Sequence, residues 1–156
     1  MKTEEKSPEV FMEAAIKEAE KALTEGEIPV GCVIVKDGEI LVSARNTVER
    51  EGSPLCHAEM NALRQANLLT GKKFLSDCDL YVTVEPCAMC AGAILNARIR
   101  KLYYGVSEPK TGCCGSNYSI CEDSRFNWRT EVFGEIKEEK CRRLLTEFFT
   151  ARREKC

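Results

Sequence analysis

Four side chains carry the chemistry open to this sequence: His57 and Glu59 in His57-Ala58-Glu59, and Cys87 and Cys90 in Pro86-Cys87-Ala88-Met89-Cys90. An imidazole and two thiolates leave one corner of a tetrahedral zinc ion open to water, which is the arrangement of catalytic zinc. Structural sites close the shell with a fourth protein ligand. Cys-x-x-Cys alone is a weak sign, because it also serves as a redox pair, as half of a structural zinc site or as two core thiols. His57 narrows the field. It is the only histidine in the chain, so a structural site with two histidines is impossible, and a redox reading leaves His57-Ala58-Glu59 without a role. A structural site of three cysteines and His57, completed by Cys56, Cys113 or Cys114, stays open.

Glu59 lies two residues beyond His57, so on a helix it points away from the histidine's side yet can lean over a metal-bound water; it is not expected as a ligand. Zinc lowers the pKa of its water to about 7, and Glu59 can take that proton and pass it to a ring nitrogen. The same carboxyl can then protonate a departing amino group, serving first as base and then as acid. The reaction expected is hydrolysis of an exocyclic C–N bond with release of ammonia.

These groups have to be delivered by the ends of secondary-structure elements. His57-Ala58-Glu59 opens a segment of helix formers, Ala58 to Leu68, closed by Gly71-Lys72-Lys73. Leu80-Tyr81-Val82-Thr83-Val84 reads as a strand, and Pro86 then opens a second helix from Cys87 to Asn96. Two helix starts can face one point, and their partial positive charge favours thiolate at both cysteines. Upstream, Ser7-Pro8 starts a helix with apolar residues at helical spacing that ends at Gly26. Val30 to Val35 and Glu39 to Ala44 flank Lys36-Asp37-Gly38, a hairpin signal. Downstream come a strand over Ile99 to Tyr104, a long irregular loop from Ser107 to Asn127, a short strand near Thr130 to Phe133 and a charged helix from about Glu135 to Arg153. Strands alternating with helices imply parallel pairing and a sheet covered on both faces.

The chain of 156 residues, 44% hydrophobic and 31% charged, is expected to form one globular domain over 1–156. Met1 to Lys6 is polar and lacks the apolar core of a signal peptide. A cytoplasmic protein with reduced thiols is therefore expected, despite ten cysteines, and no membrane is called for. A net charge of −2 and a pI near 5.6 give no global attraction to nucleic acid, so any such partner has to meet a local patch. Arg142, Arg143, Arg152, Arg153 and Lys155 enrich the last helix in positive charge and could touch phosphates; the bland alternative is a solvated face.

His-x-Glu followed by Pro-Cys-x-x-Cys is the signature of zinc deaminases. On these residues and on Glu27-Ile28-Pro29-Val30-Gly31, Tyr81 through Ala93, Lys110-Thr111-Gly112, Gly115-Ser116 and Phe148-Phe149, the chain resembles the tRNA adenosine deaminase branch of the cytidine deaminase-like superfamily. The resemblance implies a three-layer α/β/α sandwich around a five-stranded mixed sheet, one zinc per subunit held by His57, Cys87 and Cys90, and a homodimer with active sites near the subunit interface. It implies conversion of the wobble adenosine of an anticodon to inosine, with Asn46 holding the base, Ile28 forming a pocket wall and the Ala58 backbone adding a contact. Asn46 could instead be a turn residue after the second strand. Ser53-Pro54-Leu55, Glu108 and Trp128 depart from the branch's pattern at positions expected to meet flanking nucleotides. Two alternatives stay beside the tRNA reading: a deaminase of free guanine, cytosine or adenosine, and a zinc-stabilised accessory subunit, against which an intact Glu59 speaks.

Overall fold

The computed structural model describes residues 6–154; the polar start over Met1 to Glu5 and the cation Lys155 lie outside the described residues. Helix α1 (Pro8–Thr24) has proline at its first position, where a missing N–H costs nothing. Its Phe11, Met12, Ala15, Ile16, Ala19 and Ala22 are buried. Strands β1 (Gly31–Lys36) and β2 (Glu39–Arg45) form the expected hairpin. Asp37 and Gly38 take φ of 51° and 75° at its turn, the left-handed pair that suits the twist of a tight hairpin.

Strand β3 (Cys78–Val84) pairs antiparallel with β1, while β4 (Lys101–Val106) and β5 (Glu131–Phe133) continue in parallel, in the order β2-β1-β3-β4-β5. A parallel pair needs a crossover, and between β3 and β4 it is helix α4 (Ala88–Asn96). With α3 (Ala58–Thr70) it covers one face of the sheet, while α1 and α5 (Glu138–Glu154) cover the other. In β1, Cys32 and Ile34 point into the first core and Val33 and Val35 into the second, so both sides of the strand are apolar. The result is the three-layer α/β/α sandwich with a five-stranded mixed sheet. No helix among the described residues is long and apolar enough to cross a membrane.

Gly31 marks where α1 lies against the sheet. A Cβ there would stand 1.9 Å from the Ala15 carbonyl oxygen and 2.6 Å from the Ala19 nitrogen, and backbone on both sides cannot yield. Gly31→Ala is therefore expected to cost about 3 kcal/mol, the upper end for overpacking, and to lower Tm by roughly 10 °C. Thermal unfolding followed by circular dichroism checks this, and an unchanged Tm would show that α1 is free to move off the sheet.

Two details differ from the sequence reading, and a third contact was not visible in it. The last helix begins at Glu138 rather than near Glu135, because Glu135 and Lys137 sit at φ of 64° and 54° and Ile136 donates its N–H to Tyr104. A short helix, α2 (Val48–Glu51), precedes His57; four residues are too few to show a period. Trp128 donates its indole N–H to the Ile99 carbonyl at 3.0 Å and faces Arg98. It thus sits beyond the far end of α4, about 13 Å along that helix from Cys87.

Candidate active site

Both predicted helix starts arrive at one point. His57 is the N-cap of α3, with φ −67° and ψ 154°, and Cys87 is the N-cap of α4, with φ −75° and ψ 178°. Extended backbone at each cap turns the side chain inward ahead of its helix. Cys90 follows in the first turn of α4 and is fully buried, whereas His57 and Cys87 are half-buried. The imidazole Nδ1 lies 3.7 Å from the Cys87 Sγ and 3.5 Å from the Cys90 Sγ.

The charges in this cluster are coupled by proximity. Cys90 and His57 hold the Cys87 thiol down to about 4, so Cys87 is a thiolate. That thiolate and burial push Cys90 well above the ordinary thiol value, and the thiolate also raises His57. One nitrogen and two sulfurs all within 4.8 Å of one another match a cation's demand. Zinc with Zn–N of about 2.0 Å and Zn–S of about 2.3 Å needs tetrahedral N–S edges of about 3.5 Å. The observed separations of 3.7 and 3.5 Å meet that requirement. Cys56, Cys113 and Cys114 are not part of this or any other metal-binding group among the described residues. The structure thus gives the closed three-cysteine alternative no fourth ligand.

Glu59, in the first turn of α3, is 4% exposed. With no metal charge beside it, burial pushes its carboxyl up to about 7, opposed by its own backbone amide and by His57. A dication nearby would favour the carboxylate. Such a group can hold or release a proton near neutral pH, the property a proton shuttle needs.

Glu59, His57 and Cys87 open onto a cavity of about 190 Å³ whose walls include Ile28, Asn46 and Ala58. The three substrate-contact candidates from the sequence are thus brought to the same space as the ligand candidates. Asn46 makes the turn contacts weighed for it and also lines the cavity. Its Nδ2 donates to the Ile28 carbonyl and its Oδ1 accepts from the Val48 N–H, each at 3.2 Å, as a turn residue would. An amide carries two N–H groups and two lone pairs, so one of each remains for a ligand. Phe149 of α5 lines the cavity, while Phe148 beside it in the helix is half-buried.

Two buried acids that brace the site were given no role of their own by the sequence reading. Glu27, 1% exposed, accepts the N–H groups of Glu49 and Arg50 at 2.8 Å each, pinning the segment that leads to His57. Glu85, 3% exposed and a wall of the cavity, accepts from Glu108, Cys114 and Ser116. Burial alone would raise Glu85, but the Ser116 hydroxyl and these backbone N–H groups hold it below the usual carboxylate range. An acid directly before proline at the end of an apolar strand was the available signal for Glu85. Glu27, after the glycine that ends α1, offered none.

The family model for the cytidine and deoxycytidylate deaminase zinc-binding region matches residues 5–106. A tRNA-specific adenosine deaminase of Bacillus subtilis (strain 168) is 42% identical over 147 residues, 94% of this chain and 91% of that protein. A solved structure of a tRNA:A34 deaminase, from work on A-to-I editing at the wobble position of transfer RNA, is 37% identical with a TM-score of 0.84, covering 87% of this chain and 99% of that one. A guanine deaminase from Nitrosomonas europaea shares the fold at TM-score 0.82 with 18% identity, covering 92% of this chain and 85% of that one.

Proposed function

This chain belongs to the cytidine and deoxycytidylate deaminase zinc-binding family, and we propose that it is a single zinc-dependent domain over 1–156 that deaminates the wobble adenosine of tRNA to inosine. The observation that carries the proposal is one cavity bordered by His57, Cys87 and Glu59, in a chain whose tRNA-deaminating relative aligns over 94% of its length. His57 Nδ1 and the sulfurs of Cys87 and Cys90 would hold one zinc per chain. Zinc so held supplies Lewis acidity toward water, lowering the pH at which that water gives up a proton.

The remaining work falls to the protein's own groups. Glu59 takes one proton from the attacking water and delivers it to the purine N1, then takes the second from the hydroxyl now on C6 and passes it to the leaving amino group, so that adenosine and water become inosine and ammonia. Asn46 offers its remaining N–H and lone pair to the base, Ile28 packs against it, and the Ala58 backbone adds a contact. Because Glu59 is buried, bulk water competes poorly for the proton it carries.

RNA could be gripped beside this cavity. Lys110, Arg152 and Arg153 surround a surface cleft that shares Glu108 and Phe149 with the pocket, and among the described residues these three cations make no salt bridge. Arg142 and Arg143 instead pair with Glu138 and Glu139 on their own helix, so for them the solvated-face reading fits better. If the three cations neutralise three phosphates, binding should weaken with a log–log salt slope near −2, roughly 20-fold between 50 and 200 mM salt. Initial rates on an anticodon stem-loop at subsaturating concentration test this. Salt-independent turnover of free purines with no action on the stem-loop would favour the free-base alternative. The resemblance further supports a cytoplasmic homodimer, which sedimentation against the 17.5 kDa chain mass tests.

A further inference from the structure

Glu85 does something for the pocket that neither the ligand set nor Glu59 does. Its Oε1 accepts from the Glu108 N–H at 3.1 Å and from the Ser116 hydroxyl. Its Oε2 accepts from the N–H groups of Cys114 and Ser116, both at 3.0 Å. All four donors belong to the irregular segment after β4, a stretch in which no strand ladder fixes residues 107–113. Gly112 shows how closely the loop backbone approaches: a Cβ there would stand 2.4 Å from the Glu85 carboxylate. Two residues of the same segment, Glu108 and Thr111, line the cavity that Glu59 also lines.

We infer that Glu85 is a positioning residue that sets where this wall stands, and hence how tightly the substrate base is enclosed. The inference rests on the deaminase reading of the site. Hydrogen bonds to an ionised acceptor are about twice as strong as neutral ones, and the carboxylate is the one group that ties the loop's two halves, at 108 and at 114–116, to the strand end preceding Cys87. Cys113 adds a single bond to the Pro86 carbonyl, 2.9 Å, which holds the loop's middle but leaves its ends to Glu85. The metal-ligand candidates are positioned independently, by the caps of α3 and α4. Loosening the wall should therefore change substrate binding without changing metal binding.

Glu85→Gln separates these roles. An amide keeps the shape but has one acceptor oxygen where the carboxylate has two, so either the Glu108 N–H or the N–H groups of Cys114 and Ser116 lose their partner, whichever way the amide turns. The variant should keep its zinc content, raise KM for an anticodon stem-loop roughly tenfold and change kcat by less than about threefold. The amides of Glu108, Cys114 and Ser116 should exchange with deuterium at least about tenfold faster. Ser116→Ala, which keeps the fold even if the glutamine variant does not, should show a smaller KM rise and add nothing on top of Glu85→Gln. An unchanged KM, unchanged exchange at those amides or full additivity of the two substitutions would overturn the assignment. If the unmodified protein fails to act on RNA, the tRNA reading has failed, and the exchange measurement decides the positioning role by itself.

Discussion

Glu59→Gln is expected to stop ammonia release, with a fall in kcat of about 10²- to 10⁴-fold, the range for loss of a general acid–base group, while zinc content stays near one per chain. Glutamine fills the same buried volume under α3, so packing around Ala58 and Ala62 has no reason to change. It cannot carry one water proton to a ring nitrogen and the other to a leaving amine. The pairing of lost turnover with retained metal matters, because it distinguishes a proton shuttle from a ligand. Ammonia assay and metal analysis on the same preparation check it. Turnover within threefold of the unmodified protein would remove Glu59 from the mechanism, and loss of zinc would recast it as part of the metal shell.

What the sequence disclosed and what it withheld divide along a physical line. The hairpin, α3 and α4 were legible because local rules decide them: Asp-Gly fits a two-residue turn, Gly71 caps α3 in the left-handed region at φ 69°, and proline precedes the start of α4. The convergence of His57 with Cys87 and Cys90 was legible from residue types and spacing taken together with the zinc-deaminase signature, since the cysteine pair by itself also fits redox and core roles. The start of α5 was misplaced because Glu135 and Lys137 adopt left-handed backbone, which no propensity for those residues announces. Trp128 was placed near flanking nucleotides by comparison of positions. Its indole bonds Ile99 beyond the end of α4, a contact across 29 residues that only the folded sheet creates. Glu27 and Glu85 were given no role of their own for the same reason. A buried carboxylate looks like any surface acid until the backbone N–H groups it satisfies are seen around it.

Cys87→Ser is expected to empty the metal site, with zinc falling from near one to below about 0.1 per chain after dialysis against a mild chelator. A serine hydroxyl does not ionise near neutral pH, so only His57 and Cys90 would remain, and two donors do not hold zinc against competition. Cys90 alone cannot compensate: with the Cys87 thiolate gone, burial and the nearby Glu59 still raise its thiol, and binding must displace that proton. Deamination should disappear with the metal. Stability should fall as well: a ligand present at 1,000 times its Kd contributes about 4 kcal/mol to the folded state, worth about 10 °C in Tm for a chain of this size. Chelator-treated unmodified protein should therefore melt near the temperature of the variant, and added zinc should restore the former but not the latter. Cys113→Ala and Cys114→Ala should both retain zinc, because neither sulfur joins the group formed by His57, Cys87 and Cys90. Full zinc occupancy in Cys87→Ser would exclude that sulfur as a ligand, and with it the alignment of the two helix caps on a shared ion.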